Sequence, residues 1–142
     1  MATLIDQAFL VATFGPIEMA QLADRNADGQ QDVDPVGEAI AMADGLVMGA
    51  LASAGLLPLP DPLPAGAAAV LKGYAADLAR ERLYGAGCPE VVRNRGNDAR
   101  AWLKAPKIFG LSPAPASPLG SAGMPAHTAP ARVFDDAGLE GF

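Results

Sequence analysis

The chain has 142 residues, enough for one domain with extensions; 51% are hydrophobic but only 6% aromatic. A net charge of −6 and a pI near 4.5 argue against a dedicated nucleic-acid binder. The lone Cys88 excludes an internal disulfide, and the N-terminal MATLIDQAFL lacks the basic region of a signal peptide.

Much of the apolar content is alanine, so a thin, close-packed helical core is expected. Five helices are predicted, and no segment alternates convincingly as a strand. The first covers residues 3–14, with Thr3 as N-cap, Asp6 in the capping-box position and Gly15 as its stop. Pro16 opens a second over 16–23, with Ile17, Met19, Ala20 and Leu22 as apolar positions. A polar loop follows and ends on Asp34-Pro35, an N-cap with proline at the first helical position. From there Val36, Ile40, Ala43, Val47, Ala50 and Leu51 recur mostly at spacings of three and four, which buries one face; Gly55 ends this third helix. The run LPLPDPLP at 57–64 is an extended strap. A fourth helix over 65–84 is expected to bury Val70, Leu71, Tyr74, Leu78 and Leu83, with Gly85 just past its end. Pro89 starts a fifth that reaches Lys104, with Val91, Val92, Ala99, Trp102 and Leu103 on its apolar side. Asn94 and Gly96 weaken its middle, and Pro106 ends it. The fold class is all-α: a small antiparallel helical domain, residues 1–110, followed by an extended proline-rich arm, residues 111–142.

That arm carries Pro113, Pro115, Pro118, Pro125 and Pro130 among Ala, Ser and Gly, with no periodic apolar face. It cannot pack a core of its own, so it is read as a segment laid along a partner; a tail folded back on its own domain is the alternative. Charge is divided along the chain. Residues 1–61 carry −8, residues 62–110 carry +4, and residues 111–142 carry −2. Such a division suits copies packed head to tail, though small domains also show it without a partner. Two uncharged runs, 45–60 and 108–131, are respectively too short and too proline-rich to span a bilayer as a helix, and no membrane partner is expected.

Residues 24–32, DRNADGQQD, follow the first nine positions of a calcium loop. Asp24, Asn26, Asp28 and Asp32 would supply side-chain oxygens, Gln30 a carbonyl and Gly29 the turn. The position for a bidentate Glu holds Pro35 instead, so the two readings are a weak calcium site and a series of Asx turns capping the next helix. Catalysis finds no support. His127 lies in the arm without a nucleophile or acid near it in sequence, and Cys88 sits before a helix start, where it could cap. No phosphate-binding glycine loop or Cys/His metal spacing occurs, so no enzyme and no cofactor beyond weak calcium is expected. Arg80, Arg82, Arg93, Arg95 and Arg100 lack interleaved aromatics and read as a solvated or inter-subunit face.

Taken in order, the residues resemble the small neck-protein family of Mu-like phages and prophages. The likeness runs from Phe14-Gly15 and the segment Gln21 to Gly29, through Ala39, Ala43, Asp44 and the helix ending before Leu57-Pro58-Leu59. It continues with Val70-Leu71-Lys72, Asp77-Leu78-Ala79-Arg80, Leu83-Tyr84 and Trp102-Leu103, and closes on the terminal RVFDDAGLEGF. Ala54-Gly55 stand where an Arg-Tyr pair is usual, and Asp135-Asp136 where a basic–acidic pair is usual. The resemblance implies a virion component at the head–tail junction, assembled in the host cytoplasm. Its implied role is a connector, or adaptor, forming a homo-oligomeric and dodecameric ring beneath the portal protein. DNA would pass through the lumen without sequence-specific binding, and the arm would dock on the portal or on other neck proteins. Arg132, Phe134, Leu139 and Phe142 are the arm's expected partner-binding residues. A stopper or other head-completion protein is the alternative, and a calcium-responsive binding module the alternative of another class.

Overall fold

Proline, glycine and aspartate punctuate the described residues into five α-helices. The computed structural model describes residues 3–30 and 34–113. The elements are α1 (Gln7–Phe14), α2 (Pro16–Ala23), α3 (Pro35–Ser53), α4 (Ala65–Tyr84), a single 3-10 turn (Gly85–Gly87) and α5 (Glu90–Leu103). The fold is all-α, with no strand among the described residues.

Capping chemistry sets most of these boundaries. Asp34 caps α3 by accepting from the Gly37 N–H at 2.9 Å, with its own backbone left-handed at φ 49°. Gly37 leaves room for this cap, because a Cβ at that position would meet the Asp34 carboxylate and push it aside. At the other end Gly55 takes φ 70° and the Leu56 N–H reaches back to the Leu51 carbonyl at 2.9 Å, closing the helix in a Schellman turn. The start of α1 differs from expectation. Asp6 rather than Thr3 is its N-cap, accepting from the Phe9 N–H at 2.7 Å. The residues before Asp6 are engaged elsewhere: the Leu4 N–H donates to Asp44 of α3 at 3.1 Å, and Ile5 is buried in the core.

The core is centred on the contact between α3 and α4, the most extensive between any two elements. α3 contributes Val36, Ala39, Ile40, Ala43, Val47 and Leu51. α4 answers with a row repeating every four residues, Ala67, Leu71, Ala75, Ala79 and Leu83, flanked by Ala76 and Leu78. Four-residue ridges of this kind seat in the grooves of a facing helix, and alanines along the ridge let the two backbones approach. The buried faces of α4, α5 and α2 correct three expected core residues. Val70 stands one position off it and is 40% exposed. α5 buries Val92, Gly96 and Ala99, which turns Val91 outward at 69% exposure. Ile17 is 75% exposed because α2 buries Met19 and Ala23. By length and apolar content α3 could also cross a membrane; in this fold it is the central helix of the core.

α5 runs unbroken through Gly96. A Cβ at Gly96 would collide with the carboxylate of Glu81 on α4, so glycine here admits that side chain at the α4–α5 crossing. In the strap between α3 and α4 the Leu57–Pro58 and Asp61–Pro62 peptide bonds are cis, and Leu57, Leu59 and Leu63 pack against the core.

The fully buried Ala75 leaves no room for a larger side chain. Ala75→Leu is expected to destabilise the protein by about 2 kcal/mol through overpacking. Val91→Ala, at an exposed position, is expected to change stability by less than about 0.5 kcal/mol. Urea unfolding of the two variants compares them directly.

Candidate partner-binding surface

Where α5 ends, Trp102 fixes the path of the chain. Its ring stacks on Tyr74 of α4 with centroids 4.7 Å apart, and its Nε1 donates to the Lys107 carbonyl at 3.3 Å. The Ala105 N–H also turns back to the Trp102 carbonyl at 3.1 Å. Together these bonds curl residues 104–108 and carry Ile108 into the core. Between this turn and the end of α3 lies an apolar groove of about 500 Å³, lined by Ala50, Ala54, Leu56, Leu103, Ile108 and Leu111. The exposed Lys104 and Lys107 also line it. Pro113, the last described residue, forms part of the same lining. Phe109, on this turn, is 98% exposed.

The expected arm residues Arg132, Phe134, Leu139 and Phe142 lie outside the described residues, as does His127. The body meets the arm at the groove, which sequence reasoning did not anticipate. Its floor combines residues more than fifty positions apart, and only Trp102 followed by Pro106 hinted at a tight turn.

Of the expected metal ligands, Asp24, Asn26 and Asp28 come together in one loop, and Asp32 lies outside the described residues. Asp24 accepts from the backbone N–H groups of Asp28 at 3.1 Å and Gly29 at 2.8 Å. Asp28 accepts from the Gln30 N–H at 2.8 Å and from the Asn26 amide at 3.0 Å. The bond from the Gln30 N–H to Asp28, like that from the Asp28 N–H to Asn26 at 3.1 Å, is an Asx turn, and Asp24 ties the loop together by accepting from N–H groups four and five positions on. Among the described residues no three His, Cys, Asp or Glu side chains converge as a metal site. Cys88 does not cap α5: the N-cap is Pro89, and the thiol lies 3.5 Å from the Pro89 carbonyl.

The basic residues are largely engaged within the body, which corrects the reading of Arg80 as solvated or inter-subunit. Arg80 donates to both oxygens of Glu18 on α2, Nε to Oε1 at 2.7 Å and Nη2 to Oε2 at 2.9 Å. Its guanidinium lies 4.4 Å from the centre of the Phe14 ring, and the Tyr84 hydroxyl donates to the same Glu18 at 2.8 Å. This bidentate, half-buried cluster ties the short N-terminal helices to α4. Burial pushes the Glu18 carboxyl up. The hydrogen bonds from Arg80 and Tyr84 and the Arg80 charge outweigh it and hold the carboxyl below its ordinary value. On α5, Arg100 approaches both oxygens of Glu81, one at 3.0 Å as a hydrogen bond and the other at 2.8 Å as an ion pair. Arg95 stands 3.7 Å from Asp77, whose carboxyl burial nevertheless pushes above its usual range. None of these clusters pairs a nucleophile with a base; they join helices.

Glu18→Ala would leave the Arg80 guanidinium without its carboxylate and is expected to cost about 2 kcal/mol in urea unfolding at neutral pH. Because the folded-state value for Glu18 lies below the unfolded one, its stabilisation is present above the ordinary carboxylate range. It is lost as pH falls through the folded value, so the gap between wild type and variant is expected to close in acid. A gap that stays constant across that range would contradict the assignment.

Compared with known proteins, the family described as Bacteriophage Mu, Gp36 matches residues 5–106. The match takes in all five helices and the turn at Pro106, and it ends before the arm. No curated protein and no solved structure matches the chain.

Proposed function

The chain belongs to the Bacteriophage Mu, Gp36 family and is a Mu-like phage protein, and on that premise we propose that it is a head–tail connector subunit of the virion. In this role the helical bodies form a ring beneath the portal, and residues 111–142 anchor each copy to the portal or to neighbouring neck proteins. Family membership across residues 5–106 is the observation that carries the proposal. The character of the body supports it. Its charged side chains Glu18, Arg80, Glu81 and Arg100 are engaged in joining helices, which suits a structural part. A ring gives such a part its grip by avidity: each arm binds modestly, but many are presented at once. The divided charge, −8 over residues 1–61 and +4 over 62–110, favours contacts between unlike faces of adjacent copies.

A stopper at the same junction is the nearest alternative. Stoppers tend to be β-rich, and an all-helical body favours the adaptor. A calcium-responsive module lacks its strongest ligand, because Pro35 stands where a calcium loop has its bidentate Glu. Calorimetric titration separates the readings: no heat at millimolar calcium removes the module, and a saturable signal would favour it.

Deleting residues 130–142 keeps all five helices and their caps and is expected to preserve the helical circular dichroism spectrum. The same deletion is expected to abolish co-purification with portal-containing particles. A truncated chain that still co-purified with them would overturn the proposed anchoring.

A further inference from the structure

Phe109 is the most exposed large apolar side chain among the described residues, at 98%, and local bonding holds it there. The Leu111 N–H donates to the Ile108 carbonyl at 3.1 Å and Gly110 takes φ 82°, so Phe109 stands at the tip of a closed tight turn. Both sides of the turn are anchored: Ile108 is buried and Leu111 packs against the core. An aromatic side chain presented on a fixed turn has little freedom left to lose on binding, which favours its use as an anchor. The exposed Lys107 stands two residues before it.

The same body carries a socket of matching chemistry. Beside the strap that leads into α4, a cavity of about 470 Å³ opens among Leu4, Met48, Leu59, Leu63 and Leu71, with Asp61 also on its lining. Met48 suits an aromatic guest, because a thioether adapts its shape and makes favourable contacts with ring edges. The other charge on the lining, Lys72, has its ammonium over the Phe9 ring at 5.7 Å. Neither Asp61 nor Lys107 has an ion pair among the described residues, whereas Arg80, Arg95 and Arg100 each have one.

We propose that Phe109 of each copy seats in this cavity of a neighbouring copy, with Lys107 meeting Asp61 at its rim. This deepens the ring proposed above and rests on it in requiring copies side by side. Phe109 does not fill its own copy's cavity, because the turn holds it clear of the body. The groove at the end of α3 and α5 is a poorer match. Its Lys104 and Lys107 would meet the incoming Lys107 with like charge, and Pro113 already lies along it. In the strap cavity, apolar lining meets apolar ring and an unpaired carboxylate meets an unpaired ammonium. Knob and socket are different patches, so the contact is heterologous and repeats from copy to copy until a ring closes. It involves described residues only, and residues 130–142 keep the anchoring role proposed above.

Full-length variants at these exposed positions test the contact. Phe109→Ser removes the knob. Asp61→Lys and Lys107→Glu each set like charges across the contact, and the double variant Asp61→Lys/Lys107→Glu restores unlike ones. By sedimentation velocity the wild-type chain is expected to self-associate beyond a dimer, with Phe109→Ser weakened at least about tenfold. Each single charge reversal is expected to weaken association, and the double variant to recover it. An equimolar mixture of Phe109→Ser with Asp61→Lys is expected to form a 1:1 complex and stop there, since one copy brings an intact socket and the other an intact knob. A wild-type chain that stays monomeric at millimolar concentration or stops at a dimer would overturn the contact. So would a Phe109→Ser chain that associates like wild type, a double variant no better than the single ones, or a mixture with no 1:1 complex. These assays need no phage particle. Their failure leaves the connector role to the co-purification assay, and failure of that assay leaves the contact between copies standing.

Discussion

The close approach of α3 and α4 is the constraint on which the rest of the structure depends. α4 buries Ala67, Ala75 and Ala79 and α3 buries Ala39, Ala43 and Val47 in one core, so the two longest helices bring mainly small side chains to the contact between them. Helices in such contact lose little side-chain entropy on folding and gain dispersion along their whole length. With aromatics scarce, this replaces the bulky core that a chain of this size would otherwise need. The leucines that remain, Leu51, Leu71 and Leu78, are fully buried.

The second layer is fitted to the first by single residues. Gly96 and Ala99 bring α5 against α4, and Glu81 and Tyr74 of α4 meet Arg100 and Trp102 of α5. Trp102 then sets the turn that shapes the groove, so the groove inherits its form from the α3–α4 contact through α5. Charge at these junctions behaves in two ways. Glu18 is held ionised because two donors meet it, whereas burial pushes the carboxyls of Asp44 and Asp77 up. Asp44 accepts only the Leu4 N–H, and its other oxygen is buried without a partner among the described residues. Its charged form is therefore less favoured in the fold than in the unfolded chain, and its contribution to stability improves as pH falls through the folded value.

Local signals were legible in the sequence, and contacts across long separations were not. Asp34-Pro35, Gly55 and Gly85 mark helix ends because capping depends on residues a few positions apart. Thr3 misled because a cap is decided by what else competes for the backbone, and Leu4 and Ile5 are drawn to α3. Val70, Val91 and Ile17 misled because their bulk suggested burial, while the true contact rows are built largely of alanine, whose burial leaves little trace in a hydrophobic pattern. Gly96 read as a weakness of α5 and proves to be the space that Glu81 occupies. The Glu18–Arg80–Tyr84 cluster joins residues more than sixty positions apart, which no local pattern reveals. In the loop at 24–30 the residue types were recognised, but a cation ligand and an Asx turn need the same side chains.

The described helices are locked together by short, specific contacts, and in the proposed role attachment falls to the proline-rich end of the chain. The most direct measurement is electron cryo-microscopy of the neck of a phage particle carrying this protein. The predicted density is a ring of these helical bodies between portal and tail, with α3, α4 and α5 arranged as described. Finding the protein in the capsid shell or the tail tube, or finding no copies in the particle, would contradict it.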